Sequence, residues 1–480
     1  MSIKGLRKDE YDVVIIGAGI GGLVCGCYLA KAGMKVLIVE QHHQVGGYCQ
    51  SFKRNGFIFD AGSHALGSLR EEGQIGIIFK DLELNKKVKI IRGNPSDSII
   101  TPDFRIQVKN DLSETISNFQ QSFPQEAKSI KSFFEFVDKV NVTSIKTLAP
   151  LYIKLRGKTF QNLLDSYFED AKLKGILSIP LIALALPAQM VSAAIACIHY
   201  KEFILDGGYY PVGGMQKFPA ALAEVFKENG GDLVLSQLVT RIITKNNRVE
   251  AIKIKNAFIK SKYIVSNCDA RQTFLNLVGA EYLEKDFVKK LNSLVVAGSG
   301  FCIYLGANIE LSNMADCSLT NWISLDDNDS FIETKYNDNN FVLTVPSLYD
   351  KSLAPKGSGI IRLFINASST SKEYIEKNKD LLVERMIKKI EKFIPDISSH
   401  IVKRESATPA TFLKYTLNSQ GSIRGWAALL SQHGLSTLPA KTPIEGLYLA
   451  GHWVTDPGQG GVATAVFSGR NVASMILNKK

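Results

Sequence analysis

Val13-Val14-Ile15-Ile16-Gly17-Ala18-Gly19-Ile20-Gly21-Gly22 is the stretch on which the fold turns. Four β-branched apolar residues in succession predict a strand buried on both faces of a parallel sheet. The glycines at 17, 19 and 22 then match G-x-G-x-x-G. The first allows a tight turn, the second lets a diphosphate reach the backbone, and the third lets the following helix pack on the strand. That helix is predicted from about 21 to 32, ending at Gly33, with its positive end toward the diphosphate. A second apolar strand, Lys35 to Val39, leads into Glu40, an acid about 20 residues on that suits the ribose hydroxyls. The complete βαβ unit reads as a dinucleotide site, and an acidic Glu40 disfavours a ribose 2′-phosphate.

Composition sets the wider frame. The 480 residues, with ordinary aromatic and apolar content, can fill two or three cored domains and exclude a disordered chain. The seven cysteines, Cys25, Cys27, Cys49, Cys197, Cys268, Cys302 and Cys317, are scattered and form no C-x-x-C pair, so neither a disulfide framework nor a metal centre is expected. The net charge of +11 comes without a compact basic motif interleaved with aromatics, which argues against nucleic acid and for contact with an anionic membrane surface. The polar N-terminus carries no secretory signal. From Gly175 to Ile198 no residue is charged, but Pro180 and Pro187 interrupt the run, so a buried or membrane-dipping helical pair lining a greasy pocket is expected instead of a span.

Further along the chain, Gly46-Gly47 follows Glu40, and Gly56-Phe57-Ile58-Phe59-Asp60-Ala61-Gly62-Ser63-His64 alternates like a strand. Residues from about 67 to 205 read as helical, with a cap at Asp111 and amphipathic runs after it. Asp206 to Met215 introduces another helix. Strands are expected at 232–235, 239–244, 249–254 and 263–266, ending in Ser266-Asn267-Cys268-Asp269-Ala270. Mixed strands and helices occupy about 285 to 400, closing with a charged helix over 371–393 that has a solvated face. Gly298 and Gly300 enter a strand and not a helix, so no second dinucleotide motif, and no NAD(P)H site, is read there. The chain ends with Gly446 to Trp453, Gly458-Gln-Gly-Gly461-Val462-Ala463 and a helix to about Leu477.

These motifs, in this order, resemble the FAD-dependent phytoene desaturases, carotenoid isomerases and retinol saturases. The resemblance covers nearly the whole chain. It implies an α/β, two-domain flavoprotein: a Rossmann-type FAD-binding domain from 1–100, 206–285 and 401–480, with an interleaved substrate or cap domain from 101–205 and 286–400. It places FAD against Gly17, Gly19, Ile20, Gly22, Glu40, Gln41, Gly46, Gly47, Gly62, Val239, Gly451, His452, Gly461 and Val462. Val239 would offer its backbone to the adenine. The final helix would point its positive end at the flavin ring. Tyr48 stands where many relatives carry an arginine, and His452 where an acid is usual.

His64 follows the turn that borders the flavin and is the candidate acid or base. The implied function is oxidoreduction of a long apolar polyene or isoprenoid by desaturation, isomerisation or saturation, in a cytoplasmic enzyme peripherally attached to membranes. A non-catalytic prenyl-binding relative and a flavin amine oxidase are the alternatives on the same fold. No metal is implied.

Overall fold

The computed structural model describes residues 9–142, 145–311, 318–326, 337–368, 370–432, 437–454 and 461–478. Cys317, Gly458 to Gly460 and most of the polar N-terminus lie outside these residues.

The buried strand Glu10–Ile16 runs parallel to Val36–Val39 on one side and to Ala257–Ser266 on the other. The seven-stranded sheet that grows from it continues outward through Asp232–Val234 at one edge. The antiparallel strands Arg248–Ile254 and Val239–Lys245 complete the other edge, and Leu447–Leu449 pairs in parallel with the end of Ala257–Ser266. The helix Ile20–Lys31 is apolar on nearly every side, because it is packed between the sheet and two other helices, Lys217–Glu228 and Val462–Leu477. It stops where Gly33, at φ +79°, turns the chain and Met34 N–H bonds back to Leu29.

A second seven-stranded sheet is mainly antiparallel. Its order is Ile401–Ala407, Ser299–Ala307, Gly359–Ala367, Asn340–Thr344, Thr320–Ser324, Asp97–Ile100 and Arg105–Val108. Strands Asp97–Ile100 and Ile401–Ala407 thus belong to this sheet, although sequence alone assigned both to the dinucleotide-binding segments. Apolar side chains on one face of it meet the helix Lys372–Ile390 through Ile375, Leu382, Met386 and Ile387, leaving its lysines and glutamates outside. Short helices recur over 112–138 and 145–199. Asp111 caps the first by accepting from the Ser113 and Glu114 N–H groups.

The uncharged run after Gly175 is a broken helical pair. Ala171–Ser178 continues as a tighter turn, Ile179–Leu184, before Ala193–His199 returns, and nearly all of its apolar side chains are buried. Pro180 and Pro187 sit at and after the first break. Among the described residues, no helix is long and apolar enough to cross a membrane.

Two positions of the fold yield direct tests. Gly21 lies where the first glycine turn abuts the last. A Cβ there would stand 2.7 Å from Asn267 Oδ1 and 2.8 Å from the Gly451 nitrogen. Gly21→Ala is expected to lose roughly 1–3 kcal/mol by overpacking and to fail to retain flavin, read by thermal melting and absorbance. In the second sheet, buried Asp97 accepts from the Trp322 indole at 2.7 Å. Desolvation lifts its carboxyl to about 7 against hydrogen bonds from Trp322 and Ser96 that pull it down. Wild-type stability therefore falls as pH rises from about 4 to 7, where the unfolded carboxyl is ionised and the folded one is not. Across that window the stability difference should move in favour of Asp97→Asn by up to about 4 kcal/mol, measured by melting both proteins at pH 4 and pH 8.

Candidate active site

Three distant turns meet at the C-terminal ends of the parallel strands, where open α/β sheets bind ligands. Gly17 takes φ +97° and its N–H bonds to Val39. Gly46 N–H donates to the Ala18 carbonyl at 2.8 Å, which ties the Gly46-Gly47 turn to the first glycine loop. Asn267 N–H donates to Ile16 and Ala450 N–H to Ser266, so the strand ends stay in register up to the turns themselves. Between the turns is an open cleft of about 1360 Å³.

Of the residues singled out from sequence, Gly17, Gly19, Ile20, Glu40, Gln41, Gly46, Gly47, Val239, Gly451, His452, Gly461 and Val462 all line this cleft. Gly22 stands behind the lining, and Gly62 faces a second, inner cavity. Glu40 is buried and spends one oxygen on the Ala18 N–H (2.7 Å) and the other on the His42 N–H (2.8 Å). Burial pushes its carboxyl up, while these backbone donors and that of Gln41 pull it down. Each oxygen keeps a lone pair for a ribose hydroxyl. His42 Nδ1 and Gln237 Oε1 are buried in the same wall without a hydrogen-bond partner. Narrow glycine turns, a held carboxylate and orphaned polar atoms together fit a dinucleotide such as FAD.

The two departures from the relatives' pattern have structural explanations. The Tyr48 hydroxyl donates to the Ser422 carbonyl (2.7 Å) and accepts from Asn418 Nδ2 (3.1 Å). It thereby fastens the 418–422 loop across the cleft instead of offering a charge to phosphate. The His452 ring lies 5.8 Å from that of Tyr48, and its Nε2 is 3.4 Å from Asn418 Nδ2. Burial and Arg424 lower its pKa to about 4, so it is a neutral hydrogen-bonding group at the cleft.

The inner cavity adjoins the cleft. Tyr48, Ser63, Ile423, Gly461 and Val462 line both spaces. The N-terminus of Val462–Leu477 faces this junction with neither a side-chain cap nor an acid in its first turn, leaving its positive end free. Ala183 and Ile198, from the uncharged run, form part of the inner wall with Phe203, Val342, Phe364 and Phe467. His64 also faces it, edge-on to Phe203 and Trp322, with Nε2 unpartnered. Burial, reinforced by Arg362 and Arg424, holds its pKa well below the usual imidazole value. His64 is therefore neutral and a weak base. Nearby His199 is lowered to about 3 by burial first and Arg424 second.

Sequence reasoning missed three contributors. Asn267 is the wedge against which Gly17, Gly19, Gly21 and Gly451 are all packed. Its place in Ser266-Asn267-Cys268-Asp269-Ala270 was the available signal. Arg362 and Arg424 reach the inner cavity from the middle of a strand and from a loop, and neither sits in a motif.

Comparison with known proteins agrees with this geometry. A family model described as flavin containing amine oxidoreductase matches residues 20–477. Prolycopene isomerase 1 of Oncidium hybrid cultivar is 30% identical, the match covering 99% of this chain and 86% of that protein. The carrot (Daucus carota) prolycopene isomerase is 28% identical over 96% of this chain and 79% of its own length. An all-trans-retinol 13,14-reductase of Danio rerio is 23% identical over 98% and 86%. Among solved structures, an oxidoreductase from Methanosarcina mazei superposes with a TM-score of 0.71 at 19% identity, covering 96% of this chain and 99% of that one. The chain belongs to the flavin containing amine oxidoreductase family and is an FAD-dependent oxidoreductase.

Proposed function

We propose that this enzyme acts on a long apolar polyene of carotenoid or retinoid type, with isomerisation of a C=C bond as its first assignment and desaturation or saturation as the related outcomes. The observation that carries the proposal is the apolar inner cavity opening onto the dinucleotide cleft through Tyr48, Ser63, Ile423, Gly461 and Val462. The names of the isomerase and reductase relatives point to the same substrate class. An amine reading is disfavoured by charge. A protonated amine would meet Arg362 and Arg424, while the carboxylate at this wall, Glu202, is bound to Arg70 at 2.5 Å and to Ser68.

In this reading FAD supplies the two-electron chemistry, and the protein binds, orients and excludes water. Gly17, Gly19, Ile20, Gly46 and Gly47 would cradle the diphosphate, with Gly22 letting the helix close onto the strand behind them. Glu40 and Gln41 would take the ribose end, and Val239 would meet the adenine. Gly451, His452, Gly461 and Val462 hold the flavin end, with Gly62 beyond them. Phe203, Val342, Phe364 and Phe467 grip the polyene and keep the junction dry. His64, being neutral, positions substrate by its unpartnered nitrogen more than it moves a proton.

The FAD-binding unit is taken as 1–100, 206–285 and 401–480 less the two strands that join the second sheet; 101–205 and 286–400 form the cap. Loading from a bilayer surface by a peripherally attached, cytoplasmic enzyme matches the net charge of +11.

Three outcomes are expected. Glu40→Gln weakens FAD retention by roughly 10- to 100-fold, the worth of a hydrogen bond to a charged group, read by flavin release on dilution. Polyene turnover is flat between about pH 5.5 and 8, since His64, His199 and His452 are all neutral there; an inflection near pH 6.5 that disappears in His64→Gln would contradict this. Anaerobic spectroscopy with carotenoid and retinoid substrates separates the reactions. A product of unchanged mass formed only with reduced flavin marks isomerisation, and flavin bleaching without added reductant marks desaturation. Bleaching by amines, with no response to any polyene, removes the assignment.

A further inference from the structure

The inner cavity's apolar wall is broken by two guanidinium groups. Arg424 stands at the cavity surface beside Gly461, where a Cβ would lie 3.8 Å from its Nη1. Its side chain has no hydrogen-bond or ion-pair partner among the described residues. Burial lowers its pKa to about 10, and no acid among the described residues offsets that. Arg362, only 3% exposed, spends Nη2 on the Gly62 carbonyl (2.7 Å) and on Cys302 Sγ (3.4 Å), while its Nε and Nη1 have no partner. Glu202, the acid at this wall, is already engaged by Arg70 and Ser68, and His64 and His199 are neutral. Among the described residues the cavity is therefore oily in lining and net positive in charge, with a half-buried cation facing its interior. A buried cation without a counter-ion is costly unless something supplies the charge. A pure hydrocarbon supplies none. Arg424 lines the inner cavity and not the dinucleotide cleft.

We propose that Arg424, backed by the field of Arg362, anchors a carboxylate at one end of a long apolar substrate, so that the site selects an acid-terminated polyene over the corresponding hydrocarbon, alcohol or ester. This specificity rests on the polyene reading above and narrows it. The acid's two oxygens match the planar fork of a guanidinium, and the remaining chain lies along Phe203, Phe364 and Phe467.

The test uses the FAD-loaded protein titrated with all-trans-retinoate, its methyl ester and all-trans-retinol. Binding is read by quenching of tryptophan emission, since Trp322 lines the cavity. Retinoate should bind roughly 10- to 100-fold more tightly than the ester or alcohol. Arg424→Gln should abolish that preference and Arg424→Lys should restore part of it. Equal affinity for all three ligands in the wild type overturns the proposal, and this comparison decides even where the glutamine variant does not fold. A preference that survives in Arg424→Gln while the flavin midpoint potential shifts also overturns it, reassigning the arginine to the cofactor. An equal loss of all three ligands in that variant overturns it as general damage to the cavity. Failure of every ligand to bind with FAD in place removes the polyene reading too, whereas equal binding of all three leaves that reading standing and removes only the anchor.

Discussion

Asn267 holds together what the sequence keeps apart. Its backbone N–H extends the register of the first strand, and its side chain occupies the space where Gly17, Gly19, Gly21 and Gly451 would carry a Cβ. One amide thus fixes the separation of two turns more than 400 positions apart. Everything further from the sheet inherits that placement: the cleft between the turns, the helix Val462–Leu477 that starts beside it, and the inner cavity beyond. Close packing of backbone on backbone leaves no slack, because interiors are dense enough that a methyl group has nowhere to go.

Electrostatics then divide the two connected spaces. The cleft is furnished with backbone donors, one held carboxylate and unpaired polar atoms, which suit a polar and anionic coenzyme. The inner space is greasy, yet two arginines face it, and its histidines are kept uncharged by burial and by those arginines. Tyr48 stands between the spaces. Its hydroxyl is used up on Ser422 and Asn418, so it contributes an aromatic wall and a loop fastening where a charged residue would have joined the coenzyme's field to the substrate's.

The glycine loop, the strand order around it and most cleft-lining residues were legible because each is imposed by local backbone geometry: turns needing positive φ, and strands buried on both faces. The uncharged run after Gly175 was legible as interrupted and buried because Pro180 and Pro187 announce the break. Strand membership near the segment borders was not. Asp97–Ile100 and Ile401–Ala407 join the second sheet through long-range pairing, and their residues carry no local sign of which sheet they will enter. Arg362 and Arg424 were invisible for a related reason. An arginine in a strand or loop ordinarily faces water, and only tertiary packing reveals that these two face an oily interior. His64 was read as a candidate acid or base beside the Gly62 turn, but the arginines that suppress its basicity could not be counted from the chain.

The order in which the first sheet is assembled has a bearing on biosynthesis. Glu10–Ile16 and Val36–Val39 leave a ribosome early, but the strand that covers the other edge of Glu10–Ile16 is Ala257–Ser266, and the helix packed against Ile20–Lys31 ends only at Leu477. An emerging chain must therefore carry an unpaired β edge, apolar from Val13 to Ile16, through more than two hundred residues of elongation. Such an edge invites association with other chains. The cleft is completed only by residues such as Gly451 and Val462, so no coenzyme site exists while that edge stands open.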